Sequence, residues 1–115
     1  MNKTKELIQL IDDLFKIYEE ERDIDLQKDI EAFNQVKDNI SNHIKLTEEW
    51  EVEALQLIKD NQTTLFFQQI NATKDNLIKL IFNSYYQDSR VKPYMNLHNS
   101  CLFILNQLNE EVYNG

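Results

Sequence analysis

Phe33, Val36, Ile40, His43, Thr47, Trp50, Ala54 and Leu57 recur at alternating intervals of three and four residues, with Ile44 and Ile58 beside them. That spacing draws one continuous stripe along a helix, whereas a strand would turn successive residues to opposite faces. The pattern predicts a single helix from about Asp29 to Asp60, about 48 Å long at roughly 1.5 Å per residue. No other segment supplies a helix of that length, so a kink or an overhang is expected. The polar pair His43 and Thr47 marks the place for a bend or a looser layer, because polar side chains at core-facing positions lower stability while fixing register.

The flanking segments read as helices that cover this stripe. In the first, from about Lys3 to Glu21, residues Leu7, Ile8, Leu10, Ile11, Leu14, Phe15, Ile17 and Tyr18 fall on one half of the wheel and Gln9, Asp12, Asp13 and Lys16 on the other. Arg22 to Lys28 is the connection, with Asp25 as an N-cap candidate for the long helix. Asn61 to Phe67 interrupts the pattern with Asn, Gln and two Thr, then supplies Leu65, Phe66 and Phe67, expected to close one end of the bundle as an apolar plug. A third helix, about Gln68 to Asp88, spreads Leu77, Ile78, Leu80, Ile81, Phe82, Tyr85 and Tyr86 over more of its surface than one interface needs. Phe82 and Tyr86 are its surplus. After a turn at Asp88 to Lys92, Pro93 suits the first position of a fourth helix, which buries Tyr94, Leu97, Cys101, Leu102, Ile104, Leu105, Leu108 and Val112. Phe103 lies opposite that stripe, among Asn96, Asn99, Asn106 and Gln107.

With one Gly and one Pro the chain lacks turn punctuation for a sheet, and at 42% hydrophobic residues it is too apolar to stay disordered. The expected fold is all-α: one domain over residues 1–115, an antiparallel up-down four-helix bundle with a long second helix.

The segments EEWEVEALQLIKD and ATKDNLIKLIFNSYY carry a resemblance. Trp50, the Ala-Leu-x-Leu-Ile-Lys run of Ala54, Leu55, Leu57, Ile58 and Lys59, the Ala-x-Lys-Asp-Asn run of Ala72, Lys74, Asp75 and Asn76, and the later Ser84 and Tyr85 resemble the YppE-like family of small helical proteins from Gram-positive bacteria. The likeness covers roughly Glu48 to Tyr86, weakens in the last helix and is almost absent before Phe33. The Asn61 to Phe67 connection departs from it in having no proline. The resemblance implies a four-helix bundle without an assigned biochemical function, and brings no catalytic residues with it.

Formal net charge is -8. That sign opposes attraction to nucleic-acid phosphates and to anionic membrane surfaces, so neither is expected as a partner. The acidic runs Glu19 to Asp25 and Glu48 to Glu53 read as solvated helix faces. Cys101 is the only cysteine, so no disulfide forms within the chain, and charges interrupt every apolar run near Met1. Cytoplasmic residence is the expectation.

Few residues suggest chemistry. A di-iron bundle site needs Glu-x-x-His pairs, but Ile40 and Met95 stand three residues before His43 and His98. Zinc spacings fail for want of a second Cys, and the only glycine is Gly115, so no phosphate-cradling loop exists. His98 and Cys101 share a helix three residues apart, but Cys101 falls on the apolar stripe, where a thiol behaves as a small hydrophobe. No cofactor is called for.

Two functions remain. The favoured one is a non-catalytic protein-interaction module that meets a partner protein or a second copy through Phe82, Tyr86 and Phe103. The alternative is a small-ligand binder or enzyme using a polar mid-bundle layer of His43, Thr47 and Tyr85.

Overall fold

The computed structural model describes residues 2–20, 30–86 and 90–113. These form four helices, α1 (Lys3–Glu19), α2 (Ile30–Lys59), α3 (Phe67–Tyr86) and α4 (Val91–Val112), with no strand among the described residues. The expected N-cap Asp25, the connection at residues 22–28 and the turn residue Asp88 lie outside the described residues.

Successive helices run antiparallel, as do α1 and α4, as paired side chains show, which leaves α1 and α3 parallel. Trp50 of α2 reaches Thr4 at the start of α1, Lys74 and Tyr85 of α3 meet Glu51 and His43 of α2 in reverse order, and Phe15 and Tyr18 of α1 meet His98 and Tyr94 of α4. Both α1 and α3 pack against all three other helices, whereas α2 and α4 do not pack along each other. The cross-section is therefore a rhombus with α1 and α3 on its short diagonal. This explains the broad apolar surface of α3, whose buried residues Ile70, Thr73, Leu77, Leu80, Ile81, Ser84 and Tyr85 serve three neighbours.

The core is filled by Leu7, Leu10, Ile11 and Leu14 of α1, Ile40, Trp50 and Ala54 of α2, the α3 set, and Tyr94, Cys101, Ile104, Leu105 and Leu108 of α4. Trp50 is its largest member and has no exposed surface. Its indole N–H donates to the Thr4 hydroxyl over 3.1 Å, and Thr4 is equally buried. An apolar residue at position 4 would leave that donor stranded away from water.

The long helix is continuous through 30 residues, His43 and Thr47 included. The Thr47 hydroxyl bonds back to the His43 carbonyl at 2.9 Å, so it is satisfied within its own helix. The expected overhang lies at the N-terminal end. The His43–Tyr85 pairing sets the last residue of α3 beside about residue 42, so the first turns of α2 continue past the described ends of α1 and α3. Phe33, assigned to the core seam from its spacing, is consequently 41% exposed, and the buried part of the seam begins at Ile40.

Helix ends differ in detail from the sequence expectation. α1 stops at Glu19, where Glu20 turns extended, two residues short of the expected end. Pro93 is the third residue of α4, behind the N-cap Arg90, still within the first turn where a missing N–H removes no helical bond. At the other end of α2, Asn61 adopts a left-handed backbone with φ 56°. The Gln62 N–H bonds the Leu57 carbonyl at 2.9 Å and the Asn61 N–H bonds that of Ile58 at 3.1 Å, the two bonds of a Schellman stop. Asn takes the position glycine usually fills. Leu65 is then buried, but Phe66 and Phe67 are exposed, so the expected plug is one residue wide. α3 begins with half a capping box, the Gln69 carboxamide accepting from the Phe66 N–H at 2.8 Å.

Two stability measurements check this account. In urea denaturation, Thr4→Val is expected to lose about 1–3 kcal/mol by orphaning the Trp50 N–H, with Thr4→Ser retaining most of it; a Thr4→Val loss below about 0.5 kcal/mol would remove the bond from the account. Asn61→Ala is expected to cost about 1 kcal/mol through the left-handed backbone, while Asn61→Gly is neutral or stabilising.

Candidate functional site

The mid-bundle residues come together as the sequence suggested. His43 Nε2 and the Tyr85 hydroxyl lie 2.9 Å apart across the α2–α3 interface, with the rings stacked at 5.8 Å, and Thr47 sits one turn on from His43. Thr47 is wholly buried and Tyr85 nearly so. Burial holds the His43 pKa below its usual 6.5, opposed by the Asp13 carboxylate on α1, so the neutral ring is favoured. The His43 and Tyr85 side chains are thus engaged with each other, and the Thr47 hydroxyl with the His43 carbonyl. Two surface recesses open elsewhere, one lined by Asn61, Gln62, Thr63, Thr64 and Glu111, the other by Asn99, Ser100, Phe103 and Ile104.

One layer toward the α4 N-terminus, Tyr94 is fully buried and stacks on Tyr18 at 3.8 Å with the rings nearly parallel. Its hydroxyl lies 2.5 Å from Ser84 Oγ, and Ser84 donates to the Leu80 carbonyl at 2.7 Å, so Tyr94 is the donor to Ser84. Burial raises the Tyr94 pKa above its usual 10.0, which keeps the phenol protonated.

Cys101 is buried without exposed surface, and burial pushes its thiol up to about 12. His98 turns away from it: the ring rests on Phe15 at 5.5 Å and Nδ1 lies 3.1 Å from Asn99 Oδ1. The arrangement lacks the thiolate that nucleophilic chemistry needs. Among the described residues no group of three or more His, Cys, Asp or Glu side chains converges as a metal-binding set.

The aromatic candidates are surface residues. Phe82 and Tyr86 stack at 6.3 Å on the outer side of α3, each 39% exposed. Phe103 is 68% exposed on α4 and makes no ring contact with them. The helical wheel explains the separation. Tyr85 and Lys74, which reach α2, lie about 60° and 80° from Phe82 on the same side, so Phe82 leans toward α2 while Phe103 points out from α4.

Sequence reasoning missed a polar latch. The Glu111 carboxylate of α4 accepts hydrogen bonds from the hydroxyls of Thr63 and Thr64 and from the Thr64 N–H at 3.1 Å, while Gln107 donates to the Thr64 hydroxyl at 3.2 Å. The bond from Thr63, then that from Thr64, lead in holding the Glu111 pKa below its usual range. Nearby, the Tyr113 hydroxyl donates to Glu53 at 2.6 Å, and burial first, then Glu53, push its pKa up to about 12. These contacts tie the α2–α3 connection and the outer corner of α2 to the end of α4. The only sequence signal was two adjacent threonines, which name no partner.

The histidine carries a pH prediction. A folded pKa below 6.5 means that the unfolded chain binds more protons as pH falls from 6.5 toward the folded value, so stability declines across that window. His43→Gln should flatten the slope there; an unchanged slope would assign it to other groups. The low folded pKa of Glu111 acts separately, its contribution being lost below the ordinary carboxylate range. For Cys101, a disulfide reagent is expected to react only when denaturant unfolds the chain, and rapid labelling of the native protein would contradict its burial.

Comparison with known proteins agrees with this architecture. The chain is 25% identical to the uncharacterised protein YppE of Bacillus subtilis (strain 168) over 113 residues, 97% of this chain and 90% of that one. The solution NMR structure of YppE from Bacillus subtilis superposes with a TM-score of 0.79 at 23% identity, covering 97% of this chain and 90% of the other, and so shares its fold. The model of the family described as a bacterial domain of unknown function, DUF1798, matches residues 4–112. The chain belongs to the DUF1798 family, and the YppE-like resemblance read from its Trp50 to Tyr85 motifs is correct.

Proposed function

We propose that this protein is a non-catalytic protein-interaction module. The observation that carries the reading is the exposure of large aromatic side chains, Phe82, Tyr86 and Phe103, on a bundle whose interior is otherwise occupied by apolar packing and mutually bonded hydroxyls. Aromatic anchors supply much of the binding energy at protein interfaces, and the outer faces of α3 and α4 offer three. The net charge of -8 supports a protein partner over a polyanion, and no described helix is long and apolar enough to cross a membrane. The alternative, ligand binding at His43, Thr47 and Tyr85, has less support, because His43 and Tyr85 bond each other and the Thr47 hydroxyl bonds its own helix.

The test is affinity capture from cytoplasmic extract by the wild-type chain and by Phe82→Glu and Phe103→Glu variants whose helicity matches it by circular dichroism. A protein retained by wild type and depleted at least about tenfold by one variant supports the reading. Capture that neither substitution affects would contradict it.

A further inference from the structure

The outward face of α4 is poor in charge. Charged residues make up 28% of the sequence, yet none occurs from Pro93 to Asn109. On the face opposite Tyr94, Cys101 and Leu105, the exposed residues Lys92, Asn96, Asn99, Phe103, Asn106 and Glu110 follow one another at alternating intervals of four and three, the spacing of a coiled-coil seam. Phe103 projects from the middle of this stripe, and the recess lined by Asn99, Ser100 and Ile104 opens directly beside it. α4 occupies an outer corner of the rhombus and is not packed along α2, which it meets at its C-terminal end through Tyr113 and Glu53.

We propose that this face docks on the same face of a second copy, α4 antiparallel to α4 across a two-fold axis. The proposal rests on the interaction-module reading and names its partner. A contact of this symmetry requires a surface complementary to itself. Here a projecting ring and a shallow recess sit side by side, and the amides of Asn96 and Asn106, which both donate and accept, can pair with each other. The two charges at the ends of the stripe fix the direction. In an antiparallel pairing that sets Lys92 against Glu110 of the second copy, Phe103 falls against Asn99 at the second copy's recess and Asn96 meets Asn106. A parallel pairing would oppose Lys92 to Lys92 and Glu110 to Glu110. The charge-free centre also lets two chains of net charge -8 approach where neither carries charge. A basic partner of another kind would find its attraction elsewhere on the surface, not on this stripe.

Sedimentation equilibrium from about 1 µM to 1 mM is the test. The wild-type mass should rise with concentration from 13.8 kDa toward twice that value. Phe103→Glu, folded by circular dichroism, should raise the dissociation constant at least about tenfold, and Lys92→Glu should weaken association by setting carboxylates against each other. The double variant Lys92→Glu/Glu110→Lys restores the pairing with its charges exchanged and should recover the wild-type constant. A wild-type chain that stays monomeric throughout, or a double variant no better than Lys92→Glu, would overturn the proposal. In the first of these cases a Phe103-dependent capture of a different protein would leave the interaction-module reading standing, whereas its absence as well would remove both.

Discussion

The indole of Trp50, wholly buried and hydrogen-bonded to Thr4, fixes the register on which the rest of the bundle depends. A side chain of that size admits few arrangements around it, and its single N–H must find an acceptor inside the core. Thr4 supplies the acceptor in the first turn of α1, which sets α1 and α2 antiparallel at one height. Every other layer then follows at a fixed distance: Tyr85 beside His43, Tyr94 between Tyr18 and Ser84, and Glu111 over the α2–α3 connection.

The rhombic section is the second consequence. Because α1 and α3 meet across the short diagonal, they are covered on three sides, while α2 and α4 hold outer corners and keep wide solvent-facing surfaces. The polar groups inside bond across helices, His43 to Tyr85, Trp50 to Thr4 and Tyr94 to Ser84, while Thr47 and Ser84 also bond back to their own helices. The bonds that cross helices specify alignment between them.

Much of this was legible in the sequence. The heptad stripe through Trp50 and Ala54 announced the long helix, since a buried stripe must repeat at the helical period. The family motif is equally readable for a physical reason: Trp50, Ala54, Ser84 and Tyr85 are buried, and Lys74 forms an ion pair with Glu51 at 3.3 Å, so most of the motif records packing. Periodicity failed where it says nothing about neighbours. Phe33 keeps the core spacing but lies beyond the described helices that would cover it, and Phe66 and Phe67 look like Leu65 in composition while only Leu65 turns inward. The Glu111 latch was invisible because its partners are 47 and 48 residues away in sequence. Among the site candidates, the spacing that placed His43 and Thr47 on one seam also identified their layer. The grouping of Phe82 with Phe103 took no account of the rotation of α3, which leans Phe82 toward α2.

The central claim is that the interior layers are structural and the outer face of α4 is where this molecule meets another. The most direct test is a dilution series of amide and indole N–H resonances by heteronuclear NMR. The account predicts concentration-dependent shifts confined to the outward residues of α4, centred on Asn99, Phe103 and Asn106, with the Trp50 indole resonance unmoved. Shifts centred on the His43 and Tyr85 layer, or spectra identical at every concentration, would contradict it.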